Sequence, residues 1–145
     1  MYFPYLRGKQ FELVLLDECR ELIKQNGHII PILEPVKTPL NNLTKKLVKY
    51  VRNDTPIILV SNPMVGDLRN GNSDVITQVI PKLDEVGKSH IIGFIITEST
   101  TEGAVSEFLT SNKNHTICFI FEYEFPKTAL LTENENVKFH IFIHK

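Results

Sequence analysis

The sequence predicts an α/β fold made of parallel β/α repeats, and three observations carry that prediction. Residues 28–34, 56–61, 90–97, 115–122 and 140–144 are short apolar runs rich in Ile, and four of them open on a histidine: His28, His90, His115 and His140. The runs are nearly continuous rather than alternating, as strands of a parallel sheet buried on both faces must be. Each is separated from the next by a stretch with helical spacing, and strand starts near 28, 56, 90, 115 and 137 lie about 22 to 34 residues apart, the length of one β/α unit with its right-handed crossover.

Taken in order, the aromatic segment 2–6 reads as an initial strand. Phe11, Val14, Leu15, Cys19, Leu22 and Ile23 then form one stripe of a helix, with Asp17, Glu18, Arg20 and Glu21 on other faces and Gly27 as its stop. After the strand at 28–34, Thr38 and Pro39 read as an N-cap and a first-turn proline. Leu40, Leu43, Leu47, Val48 and Val51 supply that helix with its apolar face, and Lys45, Lys46, Lys49 and Arg52 a solvated one. Ser73 opens a third helix through Val75, Val79, Leu83 and Val86 to Gly87, with a break expected at Pro81. Ser99 and Glu102 have capping-box spacing ahead of Val105, Phe108 and Leu109. A short helix is expected after Pro126, before the strand that starts near 137.

Six strands in 145 residues fit either a partial TIM-type (β/α) barrel or, as the alternative, an open doubly wound sheet; a closed eight-stranded barrel typically needs ~250 residues. No linker or low-complexity tract divides residues 1–145, which read as a single α/β domain. The sequence stops directly after a strand, which suits the N-terminal portion of a longer barrel. Charge excludes some functions. At net charge −1 there is no electrostatic footprint for nucleic acid, and no apolar run reaches the length of a membrane span. Cys19 and Cys118 sit among apolar neighbours and read as free thiols. With no visible signal peptide, the expected location is the cytoplasm.

Ligands of parallel α/β sheets bind beyond the carboxyl ends of the strands. The residues expected there are Arg7 and Lys9 after the first strand, Glu34 after the second and Asn62 after the third. Thr97 and Glu98 follow the fourth, Glu122 and Glu124 the fifth, and His144 the sixth. Glu34, Glu98 and Glu122 are the candidate catalytic carboxylates; Arg7, Lys9 and Asn62 are the candidate ligand-binding groups. The plain alternative is that strand-to-helix loops are polar anyway and that acids favour helix starts. Residues 65–72 hold Gly66, Asn70 and Gly71 and are a candidate lid on the same rim, but they lack any nucleotide-loop pattern, so the cofactor stays unknown. The four strand-opening histidines belong to the opposite, amino rim. They lack the close spacing of zinc motifs, so no metal site is expected and bonding to strand ends is the better reading.

The opening residues 1–13, the segment 29–37 with Glu34 and Pro35, residues 56–63 and residues 139–143 resemble the phage beta protein-like family of bacteria and phages. The resemblance covers most of the chain. It implies a TIM-barrel-like fold, a longer full-length protein, and an immunity or phage-conflict role in which a toxic effector is the protein partner. No catalytic residue carries over from it. The primary expectation is therefore a cytoplasmic phage-conflict protein acting by protein–protein contact, with exposed sheet edges favouring a homo-oligomer. The alternative is a barrel hydrolase acting on a phosphate ester, with Arg7 and Lys9 on the anion and Glu34, Glu98 or Glu122 as base or metal ligand.

Overall fold

The computed structural model describes residues 1–69, 72–125 and 134–143. Among them the sheet has six strands: β1 (Tyr5–Leu6), β2 (Ile32–Leu33), β3 (Ile57–Val60), β4 (His90–Ile96), β5 (Thr116–Phe121) and β6 (Val137–Phe142). Every neighbouring pair is parallel, and the spatial order is the chain order from β1 to β6. A doubly wound sheet reverses its order at a switch point. This one never reverses, so right-handed crossovers put every helix on one side, and the sheet curls into a half-barrel. The barrel expectation holds, and the open doubly wound alternative does not.

The curl separates two apolar layers. Ile32, Ile58, Val60, Ile91, Ile95, Cys118 and Ile120 point to the concave side. Leu33, Leu59, Ile92, Ile96, Ile117 and Phe119 point outward to the helices. Gly93 lies on the concave side, where an added Cβ would stand 3.0 Å from Ile58 and 3.4 Å from Ile120. Only a hydrogen fits there without moving a neighbour. Phe3 and Phe139, from opposite ends of the sheet, meet edge to face at 5.2 Å, so the curl is tight enough for the two flanks to touch. Burial raises the Cys118 thiol to about 12, which makes it an inert core group.

Among the described residues four α-helices lie outside the sheet: α1 (Gln10–Asn26), α2 (Asn41–Arg52), α3 (Ile80–Asp84) and α4 (Glu102–Ser111). In α1 the Glu12 carboxylate accepts from the backbone N–H groups of Lys9 and Arg7, and Gly27 ends the helix at φ 71° as expected. The buried face shares Ile23 and the half-buried Cys19 with the predicted stripe but adds Leu13 and Leu16, while Phe11, Val14, Leu15 and Leu22 are exposed. The helix has apolar residues on two faces, and contacts with α2 decide which one is buried. The Tyr50 hydroxyl donates to the Leu16 carbonyl, and Lys46 and Lys49 pair with Asp17 at 3.3 and 3.1 Å. Two of the lysines expected on a plain solvated face therefore fasten α1 to α2.

The other helix starts shift for local reasons. Thr38–Pro39 is a cis peptide in the loop, and α2 begins at Asn41. The third helix opens with a π-helical turn, Val75–Val79, and becomes α3 at Ile80; the expected break at Pro81 takes this form because proline offers no N–H to the preceding turn. The N-cap of α4 is Thr101, whose side chain accepts from the Ala104 N–H at 3.1 Å, two residues beyond the Ser99 expected there. The helix expected after Pro126 lies outside the described residues.

Candidate functional site

At the carboxyl rim, Glu34 leaves β2 only 2% exposed. Its Oε1 accepts from the Tyr5 hydroxyl at 2.7 Å and lies 3.4 Å from Arg7 Nε, while its Oε2 accepts from the Met64 backbone N–H at 2.7 Å. Three segments thus close on one carboxylate: β1 with Tyr5 and Arg7, the end of β2, and the loop after β3. Burial raises the Tyr5 pKa and the hydrogen bond to Glu34 raises it further, so the phenol stays a proton donor. The expected meeting of Arg7 with Glu34 is present. Tyr5 and the Met64 N–H were not anticipated, because an aromatic in a strand reads as core and a backbone donor leaves no mark in a sequence.

The remaining rim candidates disperse. Arg7, 44% exposed, faces a cavity of about 560 Å³ shared with Tyr5, Glu122, Ile141 and Phe142. On its other side a second cavity of about 560 Å³ is lined by Arg7, Lys9, Lys37, Gly66 and Asp67. Glu98 is exposed. Asn62 donates from Nδ2 to the Ile95 carbonyl at 3.0 Å and accepts from the Ile95 N–H at 2.8 Å, so its amide extends the β3–β4 ladder with both functional atoms in use. The expected lid is tied down where it is described. Leu68 is buried, the Asp67 N–H donates to Val36 O at 2.8 Å, and the Asp67 carboxylate accepts from the Thr38 N–H at 3.2 Å. Residues 70 and 71 of that loop, and His144, lie outside the described residues.

The amino rim carries a second constellation. Asp84, the last residue of α3, has Oδ1 2.6 Å from His90 Nε2, and its two oxygens each lie 3.0 Å from His115 Nε2. The rings of His90 and His115 are 6.0 Å apart because β4 and β5 are in register just beyond them. Burial pushes the Asp84 carboxyl up, but the hydrogen bonds with His115 and His90 outweigh it and hold the group below the ordinary aspartate value. These two histidines gather on a carboxylate rather than bonding strand ends. His28 is exposed, and His140 sits within β6, stacked on Phe121 at 5.8 Å, rather than opening the strand. Asp84 carried no sequence signal, since an acid at the end of a helix reads as surface.

Compared with protein-family models, curated proteins and solved structures, the chain matches none of them.

Proposed function

We propose that this chain works by protein–protein contact, as a phage-conflict protein that neutralises or partners a toxic effector, and that the outer face of α1 is its contact surface. The observation that carries the reading is the apolar stripe of α1 opposite its buried face: Phe11 is 80% exposed and Leu22 67%, with Val14 and Leu15 between them. At 100° per residue, Phe11, Leu15 and Leu22 fall within about 40° of one another, on one face that Glu18 interrupts between Leu15 and Leu22. A helix apolar on two opposite faces is expected to bury both, and a contiguous exposed apolar patch marks an interaction site. The effector as occupant rests on the resemblance to the phage beta protein-like family. A second copy of the chain is the competing occupant.

The hydrolase reading has weaker support. A metal or general-base role for Glu34 requires access from solvent or substrate, and its carboxylate is only 2% exposed with a donor already on each oxygen. Arg7 and Glu122 do share one cavity, and Arg7, Lys9 and Lys37 line another; both are geometric points in favour of that reading.

The test is the double substitution Phe11→Ser with Leu22→Ser, two exposed positions where unfolding stability should change by less than about 0.5 kcal/mol. Expected is loss of protection against phage or effector in cells producing the variant, with an unchanged circular dichroism spectrum. Full protection by the folded variant would sink the α1 reading. Sedimentation of both proteins identifies the occupant: an oligomer abolished by the substitutions assigns that face to a second copy.

A further inference from the structure

We propose that Asp84, His90 and His115 form a binding site for a late first-row divalent cation of the zinc class, at the amino rim and independent of the α1 contact surface. The three residues come from the end of α3, the first residue of β4 and the residue before β5. One ligand atom from each lies within 4.8 Å of the other two, so small side-chain shifts bring all three to the ~2.0–2.2 Å bond lengths of one ion. Two imidazoles and one carboxylate suit zinc, cobalt or nickel; an all-oxygen shell is what calcium and magnesium require.

The hydrogen bonds around His115 leave its Nε2 facing Asp84 with room for one positive charge, a proton or a metal ion. The Asn112 side chain donates from Nδ2 to the Phe108 carbonyl at 2.9 Å, which orients the amide and leaves Oδ1 as an acceptor. His115 Nδ1 lies 2.9 Å from that Oδ1 and must therefore carry the hydrogen. In the neutral ring Nε2 is then a bare lone pair, held 3.0 Å from both oxygens of an anionic carboxylate. Lone pairs facing each other at that distance repel. Either a second proton on His115 or a metal ion between the groups removes the repulsion. The Asn112 contact is also the outer-shell hydrogen bond that fixes a metal-binding histidine in its tautomer.

Access and coordination number fit an open site. A cavity of about 390 Å³ beside the cluster is lined by Lys88, Ser111, Asn114 and Thr116, and Asp84 is 42% exposed. Three protein ligands leave a position for water or an incoming ligand, unlike a closed four-ligand structural centre. His90 limits the affinity. Its Nδ1 is buried with no hydrogen-bond partner, so a ring bound through Nε2 keeps its proton on an unpaired atom. The site should therefore hold its ion more weakly than a structural zinc centre.

The experiment uses the untagged full chain, stripped with a chelator and titrated with Co²⁺ by absorption and with Zn²⁺ by calorimetry. Expected are one equivalent per chain, cobalt d–d bands, and a zinc-dependent rise in melting temperature. Asp84→Asn and His115→Gln should each weaken binding at least ten-fold and remove that rise, as loss of a ligand must at least match the 10- to 100-fold effect of losing an outer-shell partner. His28→Gln, at an exposed site, should leave binding unchanged. If the wild-type chain binds Zn²⁺ no tighter than the folded double variant Asp84→Asn with His115→Gln, the cluster is a proton-bridged ion pair and the proposal fails.

Discussion

Both rims of the half-barrel centre on one carboxylate ringed by donors, and the two differ in what those donors can release. Around Glu34 they are a phenol, a backbone N–H and a guanidinium, none of which surrenders a proton near neutral pH. Around Asp84 they are two imidazoles, whose ring nitrogens can hold a proton or, as proposed above, a metal ion. Glu34 is almost fully enclosed, whereas Asp84 is 42% exposed and beside a cavity. Position on the carboxyl rim therefore does not by itself make a reactive group. The enclosed carboxylate holds three segments together, and the more accessible one sits on the opposite, amino rim.

The strongest way to break this contrast is Glu34→Ala. It strands the Tyr5 hydroxyl and the Met64 N–H, each left unsatisfied at a cost of about 1–3 kcal/mol, so a loss of roughly 3–4 kcal/mol is expected in urea unfolding. A change below about 1 kcal/mol would mean that the network is not structural. Gly66→Ala tests whether the same rim is rigid. At φ 79° the new Cβ would lie 2.2 Å from the Val36 carbonyl oxygen, and a loss of roughly 2–3 kcal/mol should appear as a lower midpoint with unchanged slope. Asn62→Ala removes an amide that bonds both backbone groups of Ile95, for about 1–2 kcal/mol, with amide exchange quickening at Ile95 first.

The smallest effect belongs to the amino rim and concerns pH. Asp84 is held below its ordinary value when folded, so its contribution is complete above the ordinary carboxylate range and fades as pH falls through the folded value. Solvent exposure limits that contribution to less than about 1 kcal/mol. In chelator, wild type and Asp84→Asn should thus differ in stability at pH 6 and converge towards pH 3 in chemical unfolding. A gap that widens on acidification would reverse the sign and overturn the assignment.

What the residues alone determined was winding and layer. Unbroken runs such as Ile57–Val60 and Ile91–Ile96 can be satisfied only by burial on both faces, and that requirement dictates parallel strands with helices between them. The proximity of Arg7 to Glu34 followed from the same repeat, because adjacent strand ends share a rim. Which face of α1 turns inward was only partly legible: Ile23 was expected inside, but Leu13 and Leu16 compete with Phe11, Leu15 and Leu22 at helical spacing and similar hydrophobicity. Contacts from Tyr50, Lys46 and Lys49 on another helix chose between them. The gathering of Asp84, His90 and His115 was hidden for a related reason. His115 stands 31 residues from Asp84 along the chain, and only strand register together with the end point of α3 brings them within hydrogen-bonding distance. Periodicity is local and survives in the sequence, whereas convergence of side chains depends on where whole elements end, which packing alone decides.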